Sequence, residues 1–332
     1  MSELTRHPGT MTRRGALLAL TASMMSPSSL AQPTRPPIQT RRLNNVMISV
    51  SNLQRSTAFY EKLFGPSVRQ GDTVIFRVGA GPHFFALTPV QAGAKPDFLS
   101  FGMTVVDFEA ERVKRALADH GVGSAEIVRR GDTPELFLND PNGIKIQLAH
   151  TSYGHGAGAR GDILPPTPAA STRPAFAIKT INHVTFTIAN GAREKEFYQN
   201  VFALPIRAMQ GDGVTLAIGE ETDGIVFNAA SNNPNVVSNI NHVCFTIENF
   251  DVERVMAVLI ENGLEPIEQG VPALLKPLTC RVRWRQRANN GGGPTSPLGT
   301  PEVYFTDPDN IRVQIQDVSY CGGSGKLGQI CP

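Results

Sequence analysis

An eight-residue stretch occurs twice in the chain, as INHVTFTI at residues 181–188 and INHVCFTI at residues 240–247. Side chains alternate between the two faces of a strand. His183, Thr185 and Thr187 therefore share one face, opposite Val184, Phe186 and Ile188. His242, Cys244 and Thr246 oppose Val243, Phe245 and Ile247 in the same way. Each stretch is expected to be a strand with an apolar back and a polar front that presents one histidine.

The repetition extends over most of the chain. Residues 43–50 (LNNVMISV) answer residues 181–188, Phe59-Tyr60 answers Phe197-Tyr198, and Gln70-Gly71-Asp72 answers Gln210-Gly211-Asp212. Residues 108–122 (FEAERVKRALADHGV) answer residues 250–264 (FDVERVMAVLIENGL), and the turn Asp140-Pro141-Asn142-Gly143 answers Asp307-Pro308-Asp309-Asn310. Repeats of this length define an architecture, here two kinds of unit in the order A-B-A-B. The first unit opens with a strand and continues into a helix over residues 53–64, where Phe59, Leu63 and Phe64 fall at helical spacing and Gly65-Pro66 ends the run. The strands VIFRV and HFFAL follow. The second unit places a strand at residues 99–106, a helix at 108–117 with Gly121 as C-cap, and strands near 126–128, 135–138 and 144–148. The fold class is α+β, built from four βαβββ modules that form two domains, residues 43–150 and 179–318.

Between them, residues 151–178 read as a linker, rich in Pro, Gly and Ala. Residues 319–332 form a Gly/Cys tail in which Cys321 and Cys331 either close a small loop or stay as free thiols. An insertion at residues 271–301 carries Arg281, Arg283, Arg285 and Arg287 at alternating positions, followed by an Asn/Gly run at residues 289–293. If extended, it is either a clamp for a carboxylate or phosphate or a solvated edge protected by charge.

Residues 1–31 read as an export signal of twin-arginine type. Thr12, Arg13 and Arg14 precede the apolar run 15–25, and Ser29-Leu30-Ala31 supplies small residues for cleavage. The run is short for a bilayer span, with an uncleaved anchor or a disordered leader as the alternatives, and residues 32–42 form a Pro-rich lead-in. Cleavage implies a periplasmic or secreted protein with no stable membrane insertion. Beyond residue 31 the chain holds 28 basic and 28 acidic residues, which gives no case for nucleic-acid binding. The expected partner is a small molecule, and a homodimer is compatible with this reading.

Paired βαβββ modules, an opening strand with His-Val, a Phe-Tyr helix and an Asp-Pro-Asp/Asn turn before a final strand together resemble the vicinal oxygen chelate superfamily. That superfamily includes glyoxalase I, bleomycin-resistance proteins and extradiol dioxygenases. The resemblance covers residues 43–317 and implies two glyoxalase-like domains with cupped mixed sheets and outer helices. It implies a divalent metal, Fe(II) first, with Mn, Zn or Ni as the other candidates. His183, His242 and Gln314 stand at the ligand positions, with Gln314 where a glutamate is usual. Tyr304 matches a tyrosine that serves substrate, and it would donate a hydrogen bond or proton. Arg312 and Gln316 share the strand face of Gln314, and Cys244 shares that of His242, as a soft extra ligand or a small buried residue. In the first domain the corresponding positions are Asn45, Phe101 (or its neighbour Ser100) and Gln147, which make no histidine site. The remaining histidines, 7, 83, 120, 150 and 155, lie outside residues 179–318, so the usual partner histidines of ring cleavage have no match.

Two readings follow. One is an exported metal-dependent enzyme, dioxygenase-like or lyase-like, chelating a small oxygenated compound. The other is a metal-free protein of the same fold that sequesters a small molecule. Glu302 shares a strand face with Tyr304 and could add a charge, yet Glu135 occupies the same place in the half without histidines, which points to a structural role.

Overall fold

The computed structural model describes residues 37–164, 169, 174–210, 213–228, 235–267, 276–285 and 299–331. The leader, the Gly211-Asp212 turn, Arg287 and the Asn/Gly run lie outside them. The first module comprises β1 (Thr40–Val50), α1 (Leu53–Phe64), β2 (Val68–Gln70), β3 (Thr73–Arg77) and β4 (Phe84–Pro89). The second comprises β5 (Phe98–Val105), α2 (Ala110–Asp119), β6 (Glu126–Arg130), β7 (Thr133–Asn139) and β8 (Lys145–His150). The third comprises β9 (Ile178–Thr187), α3 (Gly191–Phe202), β10 (Ile206–Gln210), β11 (Gly213–Ala217) and β12 (Gly224–Phe227). The fourth comprises β13 (Asn239–Ile247), α4 (Val252–Glu261), β14 (Glu265–Pro266), β15 (Thr279–Arg285), β16 (Thr300–Thr306) and β17 (Arg312–Asp317). Among the described residues no helix is long and apolar enough to cross a membrane.

Modules join in pairs through their opening strands. The first half is an eight-stranded curled sheet, β2-β3-β4-β1-β5-β8-β7-β6, and the second a nine-stranded one, β10-β11-β12-β9-β13-β17-β16-β15-β14. In each, the two opening strands run antiparallel at the centre and each closing strand returns parallel beside its own opener. The apolar backs of both sheets and the helices on them make one continuous core. Phe101 packs on Phe186 at 5.5 Å between ring centroids, and Phe245 lies against Phe64 and Phe85 of the other half at 5.3 and 5.4 Å.

The Phe-Tyr helices and the Asp-Pro turns meet crosswise. Tyr60 of α1 donates to Asp307 in the fourth module (3.1 Å), and Tyr198 of α3 donates to Asp140 in the second (3.0 Å). Each aspartate also accepts backbone N–H groups of its own turn through its other oxygen, Asp140 from Asn142 and Ile144, Asp307 from Asp309 and Ile311. Two motifs that stand apart in the sequence are thus the two sides of one contact, made twice.

Two expectations change. Residues 279–285 do not belong to an insertion: β15 is a regular module strand, the counterpart of β6, because Arg281 and Arg283 pair with Tyr304 and Glu302 as Glu126 and Val128 pair with Phe137 and Glu135. Nor is the stretch after β8 a plain linker. Gly154 and Gly156 N–H both bond Gly161 O at 2.7 Å, and Cys321 and Gly323 N–H bond Gly328 O at 3.0 and 3.2 Å in the tail. The two loops are a further repeat, Ser152-Tyr153 with Gly156, Gly158 and Gly161 answering Ser319-Tyr320 with Gly323, Gly325 and Gly328. Each seats a buried tyrosine, Tyr153 or Tyr320, at the mouth of its sheet. A disulfide joins Cys321 to Cys331, whereas Gly154 packs against Leu164 at the matching place in the first loop.

Candidate functional site

The strand register draws one row of side chains across the polar front of each half. In the second half the row is Arg281, Tyr304, Gln314, Cys244, His183 and Gly224. In the first it is Glu126, Phe137, Gln147, Gly102, Asn45 and Phe84. His242 pairs with Thr185 as Ser100 pairs with Met47, so Ser100, not Phe101, is the counterpart of His242. Phe101 sits on the apolar back, one residue out of phase, where it packs on Phe186.

Both histidines are buried, with ring centroids 5.6 Å apart. Each is oriented by the asparagine before it. Asn182 Oδ1 lies 2.7 Å from His183 Nδ1, and its Nδ2 donates to Tyr320 O at 2.7 Å. Asn241 Oδ1 lies 2.9 Å from His242 Nδ1 and also accepts from Arg312 Nη1 (2.9 Å), while its Nδ2 donates to Thr187 Oγ1 (3.1 Å). An amide oxygen only accepts, so each Nδ1 carries a proton and donates to its asparagine. Burial, followed by the charges of His183 and Arg312, holds His242 well below the ordinary histidine range, hence neutral.

Gln314 Oε1 stands 3.0 Å from His242 Nε2, and Gln314 Nε2 is buried without a hydrogen-bond partner. Its counterpart Gln147 has the same orientation: Oε1 accepts from Asn45 Nδ2 (2.9 Å) and Nε2 donates to Glu135 and Tyr153 (3.2 and 3.0 Å). In the second half Gln314 Oε1 and the Thr185 hydroxyl both lie 3.0 Å from His242 Nε2, so Thr185 can donate to that nitrogen while the Gln314 oxygen stands beside it. A separation of 3.0 Å would let His242 Nε2 and Gln314 Oε1 hold one cation between them, and it is equally a hydrogen-bond distance. Among the described residues no three His, Cys, Asp or Glu side chains form a metal-holding group. The set that could hold a metal is two imidazoles and one amide oxygen, with no carboxylate among them.

Tyr304 packs edge-on against His242 at 5.2 Å and donates to Glu302 at 2.8 Å. Burial and then the Glu302 charge push the phenol well above its ordinary value. Glu302 also takes Arg285 Nε (2.9 Å) and Tyr320 O–H (3.1 Å), as Glu135 takes Arg130 in the first half (2.6 Å). The carboxylate is engaged in the same lock in both halves, which favours the structural role over a metal ligand. Burial, then Glu302, keeps the Cys244 thiol protonated. Gln316 bonds to backbone, donating to Pro301 O (2.7 Å) and accepting from Asp317 N (3.1 Å). Arg312 faces the cup beside Asn241, its Nε buried without a partner.

The first half fills its cup. Phe84, Tyr153 and His155 form a ring cluster with centroids 5.4 to 6.3 Å apart. In the second half Gly224 and Gly322 stand where Phe84 and His155 stand. Two rings are thus deleted beside the histidine pair. The orienting asparagines were visible as the N-H dipeptide within both INHV stretches, whereas the missing rings were not, because nothing in the sequence alone aligns Gly322 with His155 until the loops are matched.

Residues 42–148 match the model of the Glyoxalase/Bleomycin resistance protein/Dioxygenase superfamily. A comparison with curated protein sequences gives no match. Among solved structures, a catechol 2,3-dioxygenase is similar over 84% of this chain and 88% of its own, at 15% identity and a TM-score of 0.60. A homoprotocatechuate 2,3-dioxygenase from Brevibacterium fuscum matches over 86% and 83%, at 15% identity and 0.58. A Mn(II)-bound glyoxalase from Novosphingobium aromaticivorans matches over 84% and 82%, at 13% identity and 0.58. Residues 42–148 thus match the Glyoxalase/Bleomycin resistance protein/Dioxygenase superfamily, and with four βαβββ modules in two curled sheets the chain as a whole shares the two-domain, glyoxalase-like fold of these structures.

Proposed function

We propose that the second half is a metal-dependent enzyme centre, dioxygenase-like or lyase-like, and that His183 Nε2, His242 Nε2 and Gln314 Oε1 hold a divalent metal. The observation that carries this is the convergence on the polar front of two histidines, each held at Nδ1 by the asparagine before it, with Gln314 Oε1 3.0 Å from His242 Nε2. When bound, the metal supplies Lewis-acid polarisation of adjacent substrate oxygens or activation of dioxygen. Asn182 and Asn241 accept from Nδ1–H and aim both imidazoles. Tyr304, held as a phenol by burial and Glu302, is the hydrogen-bond donor next to the histidines. Cys244 contributes a small un-ionised side chain between them. Fe(II) is the first candidate and Mn(II) the next, the latter being the metal in one neighbour of this fold. The leader and the Cys321–Cys331 disulfide support an exported protein, since disulfides persist in oxidising compartments.

A metal-free sequestering protein is the second reading, favoured by the unpartnered Gln314 Nε2: with the amide turned over, it would donate to His242 and close the network without a cation. Anaerobic purification with metal analysis separates the two. The enzyme reading expects about one metal per chain, lost in His183→Ala and His242→Ala and weakened in Gln314→Ala while all three stay folded. Metal-free protein after loading with Fe(II), Mn(II), Zn(II) and Ni(II) in turn would sink it and leave the second reading.

A further inference from the structure

The basic residues of the fourth module remain without an explanation. Arg281, Arg283 and Arg285 lie on one face of β15, opposite Cys280 and Val282, which belong to or pack on the core. Their face is the polar front of the sheet, because Arg281 pairs with Tyr304 and Arg283 with Glu302, and Arg312 joins them from β17. Among the described residues four guanidinium groups thus share the strand faces of β15–β17 with the carboxylate of Glu302, which Arg285, Tyr304 and Tyr320 engage.

The first half shows which of these charges the fold requires. Arg285 has a counterpart in Arg130, which makes the same bond to the same glutamate. Arg281 and Arg283 have Glu126 and Val128 in their places, and Arg312 has Lys145, which lies over the Phe137 ring instead. The triad Arg281, Arg283 and Arg312 is therefore specific to the half with the histidines, and the bond from Arg312 Nη1 to Asn241 uses only one end of one of its guanidinium groups. The bland account, a charged edge that repels other strands, fails for Arg312, which lies on an interior strand between β13 and β16. Its Nε is buried without a partner, an arrangement that costs stability unless a ligand supplies an acceptor. Concentrating like charges on one wall costs more.

We propose that Arg281, Arg283 and Arg312 bind the carboxylate of a small organic acid at the wall of the second cup, so that the substrate or ligand of this site is an anion. Guanidinium groups fit a carboxylate bidentately, and Tyr304 and Gln314 lie between Arg281 and the histidine pair in the same row. Gly224 and Gly322 place no ring beside that row. The inference deepens the functional reading above in naming the substrate class, and it rests on the same cup being the site.

The test is calorimetric titration of chelator-treated full-length protein with 2,3- and 3,4-dihydroxybenzoate and with the matching dihydroxybenzamides, which keep the adjacent oxygens and lose the charge. At least one acid is expected to bind roughly tenfold or more tightly than its amide. That preference should fall about tenfold in Arg312→Gln, recover in part in Arg312→Lys, and persist in the exposed first-half control Arg129→Gln. Raising salt should weaken the acids and leave the amides unchanged. Equal affinity of acids and amides, or no acid binding at millimolar concentration, overturns the proposal, as does inorganic phosphate binding more tightly than every acid. A protein that takes no metal yet prefers acids retains this site and loses the metal reading; one that binds metal without preferring acids does the reverse.

Discussion

At the scale of single residues, the two crosswise contacts solve one problem with opposite charges. Where α1 meets the fourth module, Ser56 donates to Asp309, which also pairs with Arg55 at 2.7 Å. Where α3 meets the second module, the helix carries Glu194 and the turn carries Asn142, which donates to it. The acid has moved from turn to helix, and there it is fully buried beside Asp140. Burial and the Asp140 charge push its carboxyl far above the ordinary range, so Glu194 is protonated in the folded protein. A carboxyl raised on folding contributes stability that is complete below its unfolded value near 4.5 and is lost as pH rises towards the folded value. Glu194→Gln is expected to raise the unfolding free energy at pH 8 by about 1–3 kcal/mol and to change it little at pH 4. Urea denaturation at both pH values checks this, and an identical pH slope in mutant and parent would refute it. The sequence showed Glu194 as one more helix-surface acid, since only the far contact with residue 140 buries it. The histidines were legible because their alternation with Val and Phe is local.

At the scale of elements, strands and helices followed from local periodicity, and the helix at Leu53–Phe64 falls where the pattern put it. The glycine loops did not, because Gly-rich sequence is read as flexible unless its long-range bonds are known. Gly161 and Gly328 show the constraint. Both have positive φ, 69° and 68°, and a Cβ on Gly328 would come within 2.9 Å of the Tyr320 ring, with Gly161 crowding Tyr153 likewise. Thr133 and Thr300 hold the same loops by bonding Gly158 O and Gly325 O. Gly161→Ala and Gly328→Ala should each destabilise by about 1–3 kcal/mol through strain and ring contact. Thermal melts give the size of the effect. A spatially neutral control, Gly93→Ala, shares the positive φ but meets nothing within 4 Å, so an equal loss there would mean that the tyrosine contact adds nothing. β15 was misplaced for a related reason: its arginines look like an insertion until the pairing with Tyr304 and Glu302 identifies it as the partner of β16.

For the whole molecule, the repeat order was sufficient to predict two sheets of paired modules but silent on how the halves meet. That depends on which side chains cross between them, and these are the core aromatics Phe64, Phe85, Phe101, Phe186 and Phe245 together with the Tyr60–Asp307 and Tyr198–Asp140 bonds. Residues 37–331 should therefore unfold in one calorimetric transition despite the duplication. Phe245→Ala, which empties space against α1 and β4 of the other half, should cost about 3–5 kcal/mol and lower that single transition. Two resolved transitions in the parent would show the halves to be independent.

The reciprocal bonds have a further consequence. Tyr60 reaches Asp307 as Tyr198 reaches Asp140, so the contact is self-complementary, the geometry of a two-fold dimer carried inside one polypeptide. In a dimer of identical chains, any change in one cup appears in both. Fusion removes that constraint while the shared interface is kept, and one cup is then free to be packed with Phe84 and His155 as ballast while its twin keeps the histidines and gains the arginines.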